Sequence, residues 1–297
     1  MTAPAPVAEP VRVAATLSRR PGLLRSALRV RRTQVGLALS ALVVLTALLG
    51  PYLAAHPPTD FAGPPFSPAL DGAPFGTDNL GRDVLSRFLH GGRTLLVLSA
   101  LATLLGVGVG AVAGIVAGYR GGWRDEVLMR SGDVVLAFPQ VVIALLFLAI
   151  VGPRLWLLVL VVGGSHAPRV ARVIRGATLG VVERDFVKAA EAVGVRRWKI
   201  MAREILPNVT SALMVELGLR LTYSIGLVAA LSFLGLGLQP PTADWGLMIN
   251  ENRIALTVQP WAVVLPVTAI ALLTIGTNLV TDGLARAAIG IDRGVER

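Results

Sequence analysis

The sequence predicts an all-α membrane protein with six transmembrane helices. Apolar residues make up 54% of the 297 residues and charged residues only 15%, and the mean hydropathy is +0.68. Several uncharged runs approach the roughly 20 residues that a helix needs to cross a bilayer. The chain has no cysteine, which excludes disulfides, thiolate metal sites and thiol nucleophiles. These values argue against an ordinary soluble domain.

The apolar runs place the six spans, and the spans divide the chain. A cytoplasmic tail, in which the arginine-rich stretch 19–33 predicts an interfacial helix on anionic lipid, precedes the first span and its extracytoplasmic segment. A transmembrane core and a cytoplasmic tail follow. The predicted spans are 35–55, 94–118, 134–152, 155–174, 210–235 and 261–281, and the units are 1–33, 34–93, 94–282 and 283–297.

Basic residues predict the orientation of these spans. With the N-terminus inside, the inner segments 1–33, 119–132, 169–207 and 283–297 hold 22 of the 28 Lys and Arg residues. Cytoplasmic loops of membrane proteins collect such residues. The net charge of +10 is therefore attributed to sidedness instead of nucleic-acid binding, and both termini are expected in the cytoplasm.

The extracytoplasmic segment 56–92 ends in a turn followed by a helix. Asp78, Asn79 and Gly81 are turn formers, and Asp83 is expected to cap a short helix that runs through Leu89. Too few oxygen ligands are spaced for a calcium loop. A structural turn and an interfacial helix are the prediction here.

The second span carries a glycine at every fourth position. Such a stripe lets another helix backbone approach closely in lipid. The partner helix belongs either to this chain or to another subunit. The glycines are Gly106, Gly110, Gly114 and Gly118.

The fifth span contains two ionisable residues, Glu216 and Arg220, four positions apart on one helical face. Charges at this depth either line a pathway or neutralise each other. After them, two glycines and two prolines are expected to end the span near the outer interface, where Trp245 is also favoured. These helix-ending residues are Gly235, Gly237, Pro240 and Pro241.

The long polar stretch 183–209 predicts two short helices around one break. Ala189 and Ala190 favour the first helix, Gly194 is a natural stop, and Pro207 is expected to end the second. Basic residues accumulate between them: Lys188, Arg196, Arg197, Lys199 and Arg203. A helix pair of this kind on the cytoplasmic side suggests a docking surface for a soluble partner.

This stretch resembles the Glu-Ala-Ala loop of the membrane subunits of ATP-binding-cassette (ABC) importers. Five residues fall in register with that pattern: Ala189, Ala190, Gly194, Leu206 and Pro207. Lys188 replaces the leading Glu, and Glu204 stands where Ile is expected. The resemblance implies that the first helix is a coupling helix that inserts into a cleft on the ATPase subunit. The implied coupling residues are Asp185, Phe186, Lys188, Ala189, Ala190, Glu191 and Gly194.

Nearly the whole chain after residue 30 resembles the C-type membrane subunit of dipeptide, oligopeptide and nickel ABC importers. The segments that carry the resemblance are 75–87, 118–125, 183–209, 231–246 and 282–284. The resemblance implies the type I importer permease fold and a pathway shared with a second homologous permease subunit. It also implies ATPase subunits that hold ATP and Mg²⁺, an extracytoplasmic substrate-binding protein, and no cofactor in this chain. Peptides are the favoured substrate class, with nickel and haem-like ligands left open.

Two other function classes can be weighed from the residues. No lysine lies in the Gly-Lys-Ser/Thr context of a phosphate-binding loop, so the energy must come from a partner or an ion gradient. An ion-coupled transporter with Glu216 as its proton site is the alternative, but no internal repeat is visible. An intramembrane hydrolase lacks a site, because His56, His90 and His166 lie in separate segments.

Overall fold

The computed structural model describes residues 27–289 apart from residue 29. The interfacial helix predicted within 19–33 therefore lies largely outside the described residues, as does most of the tail 283–297. The helices of the described part are α1 (Arg31–Leu53), α2 (Val84–Arg120), α3 (Gly122–Leu136), α4 (Gln140–Val151), α5 (Leu155–Val182), α6 (Asp185–Ala192), α7 (Arg197–Ile200), α8 (Leu206–Phe233), α9 (Trp245–Asn252) and α10 (Trp261–Ile289).

Five helical segments are long and apolar enough to cross a membrane, and a bent pair makes a sixth. The five are α1, α2, α5, the continuous stretch Arg197–Phe233, and α10. The pair is α3 and α4, which meet at an angle of 80°. The prediction of the third span, 134–152, as a single straight helix is wrong. The helix ends at Leu136, and after Pro139 a separate helix, α4, begins at Gln140 and has only 12 residues. At 1.5 Å per residue α4 is about 18 Å long, too short to cross a hydrocarbon core of about 30 Å alone.

The short helix expected at 83–89 is part of a longer one. Asp83 does cap it, since its carboxylate accepts the backbone N–H groups of Leu85 (3.2 Å) and Ser86 (2.9 Å). However, the helix continues to Arg120 as one element of 37 residues. It continues through Gly91 and Gly92, whose lack of side chains leaves room for the indole of a buried tryptophan.

That tryptophan, Trp245, which the sequence predicts near the outer interface, points into the protein and not towards lipid. It is fully buried, and its indole N–H donates to the carbonyl of Phe88 (2.8 Å). The two rings stack with centroids 5.5 Å apart. Trp245 therefore joins the start of α9 to the start of α2 inside the protein.

Pro207 does not end the second helix of the 183–209 stretch, contrary to the prediction. A π-helical turn over Met201–Ile205 joins α7 to α8, and the amide of Leu206 bonds the carbonyl of Met201. In a regular α-helix the ring of Pro207 would clash with the carbonyl four residues earlier. The wider turn changes that register, so the helix runs from Arg197 to Phe233.

The directions of the helices show which helix ends lie together at each end of the bundle. α10 runs antiparallel to α8, since Thr222 donates to Thr277 (3.1 Å) and Gly218 lies against Thr281. It also runs antiparallel to α1, since Gly36 lies against Gly276 and Thr33 against Gly283. α2 runs parallel to α5, with Gly106 against Gly163 and Gly118 against Thr178. The start of α1, the 120–122 turn, residues 183–205 and the end of α10 therefore form one end, called the basic end below. Residues 54–83, 152–154 and 234–260 form the opposite end. The distribution of Lys and Arg predicted this grouping.

Candidate functional site

The helix α6 is closed at its C-terminus by a Schellman motif. The amide of Val195 donates to the carbonyl of Ala190 (3.0 Å), and the amide of Gly194 donates to that of Glu191 (3.0 Å). Gly194 has φ of +77°, the left-handed conformation that glycine adopts without steric cost. Asp185 in the first turn faces the positive end of the helix dipole. The local sequence therefore sets both ends of this helix.

One face of α6 is fixed to the bundle. Val187 is fully buried and packs in an apolar cluster with Ile200 and Ile205, which belong to the α7–α8 junction, and with residues of α2 and α5. Ala190 is half-buried against the same cluster. α6 and the start of the long helix therefore share one rigid support.

The opposite face of α6 is exposed at the basic end. Lys188, at the position where the family pattern has Glu, pairs on this surface with Glu183 (3.0 Å), a contact worth about 0–1 kcal/mol. The structure thus separates the two alanines of the motif: Ala189 is exposed, whereas Ala190 faces its own chain. The exposed members of the predicted coupling set are Asp185, Phe186, Lys188, Ala189, Glu191 and Gly194.

The glycine stripe of α2 lies against α5 of the same chain. A Cβ atom added at Gly106 would lie 2.7 Å from the carbonyl oxygen of Gly163, and one added at Gly118 would lie 2.8 Å from Cβ of Thr178. Gly110 and Gly114 make equally close approaches to the α5 backbone. The structure therefore answers the question that the sequence left open, since the partner helix is α5 and the contact is internal.

Glu216 and Arg220 form a buried pair in α8. Nε of Arg220 donates to Oε2 of Glu216 (2.9 Å), and both residues are buried. The guanidinium carbon lies 5.4 Å from the ring centroid of Tyr223, a cation–π distance. Tyr223 itself is 57% exposed.

A buried polar cluster beside this pair was missed by the sequence analysis. His166 of α5 and Thr103 of α2 both bond the hydroxyl of Ser224 in α8, at 3.1 and 3.0 Å. Gln140, at the start of α4, donates to Ser165 (2.6 Å). These residues come from four helices and have no sequence spacing that relates them, so no pattern could have found the cluster.

A cluster of four charges closes the opposite end of the bundle. The carboxylate of Asp78 bonds Arg82 (2.8 Å) and Arg87 (2.7 Å), and both guanidinium groups reach Glu251, at 3.3 and 3.0 Å. Burial raises the pKa of Glu251, and the Arg82 guanidinium opposes that shift. Asp78 also accepts the backbone amides of Leu80 and Arg82. The 75–87 motif is thus a structural clamp that fastens α2 to α9.

Comparisons with known proteins place this chain among transport components. A family model described as "Binding-protein-dependent transport system inner membrane component" matches residues 110–289. The chain is 39% identical over 212 residues to the "Glutathione transport system permease protein GsiD" of Pectobacterium atrosepticum, covering 71% of this chain and 70% of that protein. Proteins of the same name from Escherichia coli O6:K15:H31 and Shigella boydii serotype 4 are 38% identical over 213 residues, covering 72% of this chain and 70% of each.

Proposed function

The chain belongs to the family of inner membrane components of binding-protein-dependent transport systems, and we propose that it imports small peptides. As a member of that family it is a multi-pass permease subunit of an ABC importer. In the proposed complex it forms the translocation pathway with a second homologous permease subunit. An extracytoplasmic binding protein delivers the peptide at the opposite end of the bundle.

The exposed face of α6 supports the proposed coupling to ATPase subunits. In this proposal the basic end faces the cytoplasm, and α6 docks on an ATPase that holds ATP and Mg²⁺. Val187 and Ile200 lie in one buried cluster, and the helix that begins at Arg197 continues to Phe233. A displacement of α6 on closure of the ATPase dimer therefore moves α8, which carries the charged pair of the membrane interior.

The relatives support the proposed substrate class. The relatives described above are each named as glutathione transport permeases, and glutathione is a peptide with free carboxylates. The alternative, an ion-coupled transporter that protonates Glu216, is less favoured because the carboxylate is already bonded to Arg220.

Reconstitution tests this function. The permease pair, the ATPases and the binding protein are placed in vesicles, and uptake of radiolabelled glutathione and of a labelled dipeptide is measured. We expect uptake that requires ATP and the binding protein and that persists when ion gradients are collapsed. Uptake driven by a proton gradient without ATP would contradict the proposal and favour the alternative. If ATP drives the uptake of neither probe, only the peptide substrate class is refuted.

A further inference from the structure

The middle of α8 presents an exposed face, with Tyr223 on it, that this chain leaves uncovered. Tyr223 is exposed, and a side chain added at the neighbouring Gly226 would meet no atom within 4 Å. Tyr223 lies 17 residues after the start of α8 and 10 before its end, which places it about 26 and 15 Å from them. Tyrosine in membrane proteins favours the interfaces instead of this depth. An exposed phenol here therefore indicates a surface that faces water or a protein partner, not lipid.

Arg220 has hydrogen-bonding capacity left at this surface. Its side chain is nine-tenths buried, and Nε bonds Glu216. A guanidinium has five N–H donors, and within the described residues its two Nη groups donate to no acceptor. The ring of Tyr223 packs beside the guanidinium and does not satisfy those donors. A guanidinium held in a largely buried position with unused donors is available to bind an anion that reaches this surface.

The surroundings favour an anion at this position. Arg169 of α5 contacts Gln140 (3.5 Å), Gln140 lies 3.4 Å from His166, and His166 bonds Ser224, one turn beyond Arg220. Arg169 forms no salt bridge within the part of the chain that the structure describes. Two guanidinium groups thus flank the polar cluster, and the one carboxylate, Glu216, pairs with only one of them, which leaves a net positive charge.

We propose that Arg220 binds a carboxylate of the transported peptide through its free Nη groups, with Tyr223 as the exposed rim of this subsite. This inference rests on the proposed function of peptide import. The planar guanidinium fork matches a carboxylate in two parallel hydrogen bonds. A lysine would provide only a point charge. The subsite therefore selects substrates with a free carboxylate over their amides.

Competition binding tests the subsite. The permease–ATPase complex without binding protein is placed in nanodiscs, and bound radiolabelled glutathione is displaced by glutathione or by glutathione with both carboxylates amidated. We expect the free acid to compete at concentrations at least about ten-fold lower than the amide, the loss typical of a charged hydrogen bond. In R220Q and in the double variant E216Q/R220Q, the acid and the amide should displace bound glutathione equally well. In R220K, a reduced preference for the acid should remain. The double variant removes both charges and so remains a test if R220Q fails to fold.

Matched variants separate this reading from a purely structural pair. Arg253 also lies beside an aromatic ring, that of Phe233 at 5.8 Å, but outside the spans, so R253Q should keep the wild-type preference. Y223A, at an exposed position, should weaken binding of the acid while the complex stays intact. A wild-type complex that imports glutathione but binds acid and amide equally would overturn the inference alone. So would an acid preference that survives in E216Q/R220Q. A wild-type complex that imports no peptide would instead refute the proposed function.

Discussion

Replacing Gly110 with alanine tests the contact between α2 and α5 most directly. The added methyl carbon would lie 2.6 Å from the carbonyl oxygen of Ala167 and 2.6 Å from Cβ of Val170. Ordinary contacts between such atoms are about 3.5–4.0 Å. Neither neighbour is the free end of a flexible side chain, so the two helices must separate by roughly 1 Å to relieve the overlap.

The cost follows from two opposing terms. Overpacking of this kind costs about 1–3 kcal/mol, whereas alanine in place of glycine favours a helix by about 1 kcal/mol. Gly108, two residues earlier in α2, is exposed and has open space around it. Gly108→Ala therefore provides the helix term without the overlap. The difference between the two variants isolates the contact and should be about 1–3 kcal/mol in favour of Gly108→Ala.

Thermal unfolding of the purified complex in nanodiscs measures this difference. We expect Gly108→Ala to unfold at or slightly above the wild-type temperature and Gly110→Ala several degrees below Gly108→Ala. Gly110→Leu should prevent stable assembly. A Gly110→Ala complex as stable as Gly108→Ala would show that the helices are not in the close contact described above.

Three further perturbations test the remaining features. Each single variant, E216Q or R220Q, leaves one buried charge uncompensated, at a cost of about 3–5 kcal/mol. The double variant should therefore unfold at a higher temperature than either single variant. A double variant whose unfolding temperature is no higher would refute the pairing. Gly194→Val forces a β-branched residue to a positive φ, which costs about 1–2 kcal/mol or more. Ala189→Asp places a charge on the exposed face of α6. Both complexes should assemble yet lose ATPase stimulation by the loaded binding protein, and wild-type stimulation in both would exclude α6 as the coupling helix. Arg87→Met leaves two carboxylates at the opposite end with a single guanidinium, so the yield of complex should fall sharply, and an unchanged yield would show that the charge cluster contributes little.

The break at residues 137–139 shows where local pattern misleads. The apolar run alone indicated one straight span at 134–152, but composition does not report the angle between consecutive helices. That angle depends on the neighbours of each helix in the folded protein. The salt bridge between Asp125 and Arg175 holds α3 against α5. Pro207 shows the reverse case. The proline is a strong local signal for a helix end, but a π turn before it lets the helix continue. Burial of Ile200 and Ile205 against α5 and α6 stabilises this turn.

Features that depend on residues near one another in the chain were determined by the sequence itself. These are the apolar runs of the spans, the segregation of basic residues to one end, the four-residue glycine stripe, the i to i+4 spacing of Glu216 and Arg220, and the glycine stop after α6. Each follows from helix periodicity or from the backbone freedom of one residue.

Only the tertiary structure decided which side chains meet across the bundle. Arg82 reaches Glu251 across 169 positions of sequence, and Thr103 reaches Ser224 across 121. No periodicity relates such residues, because their proximity follows from the packing of whole helices. The burial of Trp245, the choice of α5 as partner of the glycine stripe and the free donors of Arg220 all arise in this way, since burial removes water and leaves each polar group dependent on the neighbours that the fold supplies.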